Sequence, residues 1–304
     1  MKKIVITGAT SMIGIALIDI CIKNNVKVLA IIRKNTVRSN RIPKSELIYT
    51  IECDLDKLDT FSATSESYDV FYHLAWAYTS KAYREDPVFQ AENIRFTLDA
   101  VNLAKKLGCK KFIGAGSQAE YGEVEGLISA NTRPAPVTSY GIAKYSANML
   151  SQKLCENFGM VHIWGRIFSV YGCNDNDDTM LNYAIDQFIK EKEANFSSAV
   201  QMWNYLNERD AGMIFYLLGK KEVKSGTYCI ADKESRPLRE YIIEMAEVFG
   251  EKAKCKFAPI RPDIKVAGLQ ADIGKTIDAI DYLPQVKFKE GISQVIADKR
   301  AKRN

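Results

Sequence analysis

The chain has 304 residues, of which 47% are hydrophobic and 26% charged, and its formal net charge is +5. That composition is ordinary for a soluble globular protein, and the length suits one large domain or a nucleotide-binding domain with a smaller lobe. The basic excess is mild and dispersed and no nucleic-acid motif accompanies it, so a nucleic-acid module is excluded; no apolar run approaches the ~18 residues of a membrane span. Seven cysteines, an odd number without a Cys-x-x-Cys pair, predict reduced thiols in a cytosolic protein. The two histidines, His73 and His162, lie beside or within apolar strands and read as core residues, so no metal site is expected.

In chain order, Ile4-Val5-Ile6 has the length and β-branching of a buried parallel strand, which Thr7-Gly8 ends. From residue 12 to 24, Ile13, Leu17 and Ile20 recur at helical spacing. A small-residue loop therefore joins a strand to a helix N-terminus. Gly8, Ser11, Met12, Ile13 and Gly14 are predicted to hold the phosphates of a dinucleotide on backbone N–H groups and the helix dipole. Lys2-Lys3 before an apolar stretch has the look of a secretory leader. Gly8, Thr10, Ser11 and Gly14 interrupt the run and Asp19 follows, so a cytoplasmic protein is expected.

Residues 26–33 form a second predicted strand running into Arg33-Lys34. In a dinucleotide fold, the end of this strand faces the adenosine ribose, where an acid accepts from a free 2′-OH and an arginine accommodates a 2′-phosphate. Arg33 therefore points to NADP, with NAD as the other possibility. Short strands follow at 47–51 and 70–74. Asp86 before Pro87 is a helix start, and Ala91, Ile94, Leu98 and Val101 share one face before Gly108 ends that helix. A fifth strand is predicted at 111–114. A helix follows at 139–158, with Ala143, Ala147, Leu150 and Leu154 as its buried stripe, and a sixth strand at 161–167.

The alternation predicts an α/β fold with a doubly wound parallel sheet and ligands at the strand C-terminal ends, where Gly8, His73 and Ser117 converge. Residues 1–170 are expected to form this Rossmann domain. Residues 171–304 are expected to form a smaller, partly interleaved substrate lobe, with helices at 180–190, 210–218, 238–249 and 272–280 and a strand at 228–230. The polar stretch 172–178 reads as a loop, and the basic run 299–303 as a frayed tail.

Tyr140 and Lys144 are four residues apart, which on a helix puts them on one face, one turn apart. A free tyrosine titrates near pH ~10; lowering that to about 7 takes roughly 4 kcal/mol, which an adjacent ammonium in a partly dry cleft helps to supply. Ser117 would add a hydroxyl to orient a substrate oxygen. Tyr121, Trp203 and Tyr205 offer rings that either stack on a sugar or base or simply pack, with Tyr121 the first choice for contact.

With Gly8-x-x-Ser11-x-x-Gly14, Ser117 and Tyr140-x-x-x-Lys144 in place, nearly the whole chain resembles the extended short-chain dehydrogenase/reductase family, whose members are sugar-nucleotide epimerases, dehydratases and reductases. The resemblance implies that Cys53-Asp54-Leu55 contacts the adenine ring, through Asp54 and Leu55. It implies that Leu74 and Ala75 lie beside the cofactor and that Asn93 is a helix asparagine near the active site. Lys144 would also hold the nicotinamide ribose. On the substrate side it implies Ser169, Trp203 and Arg261, the arginine of the Arg261-Pro262-Asp263 segment holding a diphosphate. Ser11 departs from the family's middle glycine, Ser169 from a frequent asparagine, and Trp203 from a phosphate-binding arginine. Gln118 and Ala119 replace the acid/base pair of the dehydratases, which excludes dehydration.

The sequence therefore predicts NAD(P)-dependent oxidoreduction at C4 of a nucleotide-linked sugar. The favoured form is an NADPH-dependent NDP-4-keto-6-deoxyhexose reductase similar to the CDP-abequose synthase group. The alternative is an NAD-dependent 4-epimerase, and a third possibility is a catalytically silent dinucleotide-binding regulator. The family resemblance further implies a homodimer. Base, sugar and the choice between reductase and epimerase stay open at this level.

Overall fold

A computed structural model describes residues 1–62, 66–261 and 268–302. Its centre is a seven-stranded sheet. The strands are β1 (Lys3–Thr7), β2 (Lys27–Ile32), β3 (Ile48–Glu52), β4 (Val70–His73), β5 (Lys111–Ser117), β6 (Val161–Ile167) and β7 (Gly226–Ile230), in the spatial order β7-β6-β5-β4-β1-β2-β3. Every pairing is parallel. The order reverses at β1, and β1 and β4 leave a crevice at their C-terminal ends, where open α/β sheets bind ligands.

Successive side chains of a strand point to opposite faces, and β1 serves two cores accordingly. Ile4 and Ile6 pack with Leu17 and Ile18 of helix α1 (Met12–Lys23) and with Ile214 and Phe215 of helix α5 (Glu208–Lys220). Val5 packs on the other face with Val101 and Ala104 of helix α2 (Pro87–Lys106) and Cys155 of helix α3 (Ser139–Asn157). As expected, Asp86 caps α2, accepting from Val88 N–H at 2.9 Å, with Pro87 at the first helical position. The histidines are core groups. His73 Nδ1 lies 2.8 Å from Thr7 Oγ1, and His162 Nε2 lies 2.9 Å from Ser151 Oγ. Burial pushes the His73 imidazole down to about 3 and that of His162 to about 4.

The second half of the chain contributes β7 and α5 to this sheet and also builds its own core. There α4 (Met180–Ile189), α6 (Leu238–Phe249) and α8 (Phe288–Ala301), the last following the short α7 (Gly274–Ile280), enclose Tyr171, Phe188, Tyr241, Met245 and Ile292. Two expectations are corrected. The basic run near the end is not frayed through residue 301: Lys299 lies in α8 and pairs with Asp186 at 3.2 Å. The buried face of α3 runs through Ala143, Lys144, Ala147, Asn148, Ser151 and Cys155 rather than Leu150, which is about half exposed together with Ile142 and Met149. Lys144 thus lies on the buried face of the helix and Leu150 on the exposed one.

Among the described residues, no helix is long and apolar enough to cross a membrane, and no cluster of His, Cys, Asp or Glu is arranged to hold a metal ion.

Candidate active site

The loop after β1 needs glycine at two points. Gly8 is left-handed, at φ +74°, and a Cβ there would lie 2.6 Å from the backbone nitrogen of Ala75. A Cβ at Gly14 would lie 2.5 Å from the carbonyl oxygen of Gly8. The loop thus folds tightly against Leu74 and Ala75 and delivers the α1 N-terminus to the crevice. Ser11, at φ −74°, fits without strain: it caps α1, its hydroxyl accepting from Gly14 N–H at 3.1 Å. Met12 and Ile13 open the helix. This cradle fits the diphosphate of a dinucleotide.

Farther along the crevice, Arg33 is exposed at the end of β2. Asp54, which follows β3, accepts from Lys34 N–H at 3.1 Å, and Leu55 begins a short turn beside it. Arg41 Nη1 donates to the Asn174 carbonyl at 3.3 Å, joining the loop after β2 to the polar loop that begins at Gly172. Asn93 is buried on α2, accepts from Ala77 N–H at 2.7 Å and donates to Ala77 O at 3.2 Å, so its amide holds the loop after β4.

Strand β5 extends past its predicted end to Ser117, which puts this hydroxyl at the strand's C-terminal edge. Ser117 and Glu120 form a reciprocal cap: Ser117 Oγ accepts from Ala119 N–H at 3.2 Å, and Glu120 Oε1 accepts from Ser117 N–H at 2.9 Å. The pattern Ser-x-x-Glu was legible in the sequence. Behind it, Glu120 accepts from Trp164 Nε1 at 2.8 Å and from Arg166 Nε at 2.7 Å, an ion pair with both side chains almost fully buried. Tyr121 is corrected here. It is fully buried, with Arg166 over its ring at 4.4 Å and Phe168, Ile128 and Cys229 around it, so its ring has no face free for a sugar.

Tyr140 lies in the first turn of α3, capped by Thr138, whose hydroxyl accepts from Gly141 N–H at 3.0 Å. Burial pushes its phenol above the ordinary tyrosine value; Arg84, then Ser117, oppose this, and the Glu120 charge adds to it. Lys144 lies one turn along the same helix, with its ammonium within reach of the Tyr140 ring. Its ammonium donates to the Ala115 carbonyl at 2.6 Å, lies 3.7 Å from the Trp76 ring centre and stands 5.8 Å from that of Tyr140. The cation closest to the phenol ring is Arg84, 3.8 Å from its centre, and Trp76 meets that ring edge-on at 6.0 Å. Nothing in the sequence marked Arg84, because the loop fold alone brings it there.

Burial pulls the Lys144 ammonium down to about 7, so the native state carries this charge at a cost. Lys144→Met is expected to raise the melting temperature by several degrees while abolishing turnover. The gain is greatest below pH ~7, where wild-type lysine is charged folded and unfolded. It shrinks from about 7 toward ~10.5, where the unfolded lysine also loses its proton. Thermal melts at pH 6 and pH 9 check this; a variant less stable at pH 6 contradicts it.

Ser169 is partly buried at the edge of the second lobe, where its short strand pairs with Tyr205–Asn207. Trp203 is partly buried among Tyr205, Met180 and Ile242, and Arg261 is exposed. Pro262 and Asp263 lie outside the described residues.

Comparison with known proteins accords with this geometry. Residues 4–231 match the model of the NAD dependent epimerase/dehydratase family. A UDP-glucuronate 4-epimerase of Thermodesulfobacterium geofontis is 24% identical over 97% of this chain and 95% of its own length. In fold, the chain is similar to a UDP-N-acetylglucosamine 4-epimerase of Methanobrevibacter ruminantium in complex with UDP-N-acetylmuramic acid (TM-score 0.87, 19% identity, 99% of both chains). It is also similar to a UDP-glucuronic acid 4-epimerase of Bacillus cereus in complex with NAD (TM-score 0.82, 23% identity, 99% of this chain and 98% of the other).

Proposed function

The chain belongs to the NAD dependent epimerase/dehydratase family, and from that premise we propose that it is a UDP-sugar 4-epimerase that keeps NAD bound through its cycle. The observation that supports this reading is that Ser117 ends β5 and Tyr140 lies in the first turn of α3, on the same parallel sheet whose β1 leads into the Gly8–Gly14 cradle. Its relatives add weight to the epimerase over the 4-keto reductase.

Gly8, Ser11, Met12, Ile13 and Gly14 hold the diphosphate of the cofactor, Asp54 and Leu55 flank its adenosine end, and Leu74 and Ala75 wall the crevice. NAD bound in this cradle would supply the hydride acceptor and donor for C4. Tyr140 Oη takes the proton of the sugar C4 hydroxyl and gives it back after the ring has turned over; Ser117 Oγ orients that oxygen. Lys144 steadies the nicotinamide end of the crevice. Ser169 and the part from residue 171 on, with Trp203 and Arg261, supply the sugar-nucleotide side. The exposed apolar surface of Ile142, Met149 and Leu150 on α3, with Val88 on α2, fits a second copy of the chain.

A second reading, the NADPH-dependent reductase, is favoured by Arg33 and by the absence of an acid at the end of β2. Mass spectrometry of the freshly purified protein separates the two. The denatured sample is expected to release stoichiometric NAD, and the native particle to weigh as a dimer. An empty site that prefers NADPH to NADH overturns the epimerase in favour of the reductase, and a monomer removes the dimer.

A further inference from the structure

The surroundings of Tyr140 carry more positive charge than the fold neutralises. We propose that Arg84, on the loop between β4 and α2, reads the substituent at C5 of the sugar, and that the substrate is a UDP-hexuronic acid whose carboxylate the Arg84 guanidinium takes. The inference rests on the proposed UDP-sugar 4-epimerase, in which the C4 oxygen meets Tyr140.

The Arg84 guanidinium carbon lies 3.8 Å from the Tyr140 ring centre, and Lys144 adds a second cation 5.8 Å from that centre. The carboxylates of this loop, of the first turns of α2 and of the turn 118–120 hold other partners. Asp86 accepts from Val88 and Phe89 N–H at 2.9 and 3.3 Å, Glu85 from Ser139 N–H at 3.3 Å, and Glu92 from the Tyr78 hydroxyl at 2.9 Å. Glu120 is paired with Arg166 at 2.7 Å. Among the described residues, no carboxylate forms an ion pair with Arg84 or Lys144.

The loop is built to hold Arg84 beside Tyr140. Gln90 Nε2 donates to the Tyr78 and Tyr83 carbonyls at 2.9 and 3.1 Å, and Gln90 Oε1 accepts from Trp76 Nε1 at 3.0 Å. Ser139 Oγ donates to the Glu85 carbonyl at 2.9 Å, which ties the residue after Arg84 to the first turn of α3, where Tyr140 lies. Arg84 is only partly buried, so its guanidinium is open to a ligand.

With the C4 oxygen at Tyr140, the flanking carbons C3 and C5 come against the ring that Arg84 covers. C3 carries a hydroxyl whether the sugar is neutral or acidic. C5 carries C6, a hydroxymethyl in a neutral hexose and a carboxylate in a hexuronic acid. A carboxylate accepts two parallel hydrogen bonds from a guanidinium and balances its charge. A hydroxymethyl leaves the guanidinium to be dried by the bound sugar without a counter-charge. Turning the ring over exchanges the C3 and C5 sides, so Arg84 meets the carboxylate in one of the two orientations, and that orientation sets the affinity.

The test is binding, which does not depend on turnover. The NAD-loaded Tyr140→Phe chain is titrated calorimetrically with UDP, UDP-glucose and UDP-glucuronate. The acid is expected to bind at least about tenfold tighter than UDP-glucose, the size of one hydrogen bond between charged groups. Adding Arg84→Gln is expected to shrink that ratio to within about threefold while the affinity for UDP holds, and Arg84→Lys to leave an intermediate ratio, because it keeps the charge but loses the fork. A ratio below about threefold with Arg84 in place, or one that neither substitution lowers, overturns the assignment. If Arg84→Gln also loses UDP, the Arg84→Lys ratio decides. A chain that shows the preference but interconverts no C4 epimers defeats the epimerase reading alone; one that epimerises UDP-glucose without the preference defeats the role of Arg84 alone.

Discussion

Tyr140→Phe is expected to lower turnover on the cognate UDP-sugar by about 10³-fold while leaving the retained NAD at wild-type occupancy. A positioned acid/base contributes about 10² to 10⁴ in rate, and in the proposed epimerase the same phenol takes and returns the C4 proton. The substitution removes one oxygen from a side chain held by ring contacts with Arg84 and Trp76, so the crevice keeps its shape. Burial holds the phenol above its ordinary value, which makes the proton-accepting form scarce at neutral pH. Turnover in the wild type should therefore climb as pH rises through its acid limb, and the residual activity of the phenylalanine variant should lack that limb. A variant with wild-type turnover would remove Tyr140 from the mechanism.

The largest effect on stability is expected at Glu120. Glu120→Ala leaves Arg166 buried and unpaired and strips the Trp164 indole and the Ser117 amide of their acceptor. Breaking one side of a buried pair costs about 3–5 kcal/mol, which corresponds to a fall of roughly 10 °C in melting temperature for a domain of this order. Replacing the pair with apolar groups of similar volume is often close to neutral. The double variant Glu120→Leu, Arg166→Met is therefore expected to melt well above Glu120→Ala. Equal melting temperatures for the two would show that the pair is not what Glu120 contributes.

The sheet and its crevice were legible because periodicity and turn chemistry are local. Strands of branched residues, the Asp86-Pro87 helix start and the Gly8 turn each carry their signal within a few neighbouring residues. Helix α8 was equally legible, since Phe288, Ile292, Val295 and Ile296 recur on one face, but the basic residues at its end drew attention to charge instead. Leu150 and Tyr121 failed for a different reason. Apolar spacing identifies a stripe but not which stripe a helix buries, and an aromatic beside a reactive serine looks the same whether its ring points into the crevice or into the core. Arg84 and Trp76 lie beyond such reasoning altogether. Their positions depend on Gln90, Asn93 and Ser139 gathering a loop whose own sequence has no period.

The placement of β7 has a consequence for how the protein is made. Strands β4, β5, β6 and β7 add outward from β1 in the order in which a ribosome releases them, so each docks on an edge already formed. Between β6 and β7, however, the nascent chain must also emit α4 and α5. Until Gly226–Ile230 arrives, Val161–Ile167 is an open, seven-residue edge, the kind of surface that pairs with a neighbouring chain. A chain cut after the predicted boundary at residue 170 would carry that edge permanently, together with a sheet face lacking α5. The nucleotide-binding half expected over residues 1–170 is thus a poor candidate for isolation, because it lacks the strand and the helix that the second half adds to the sheet.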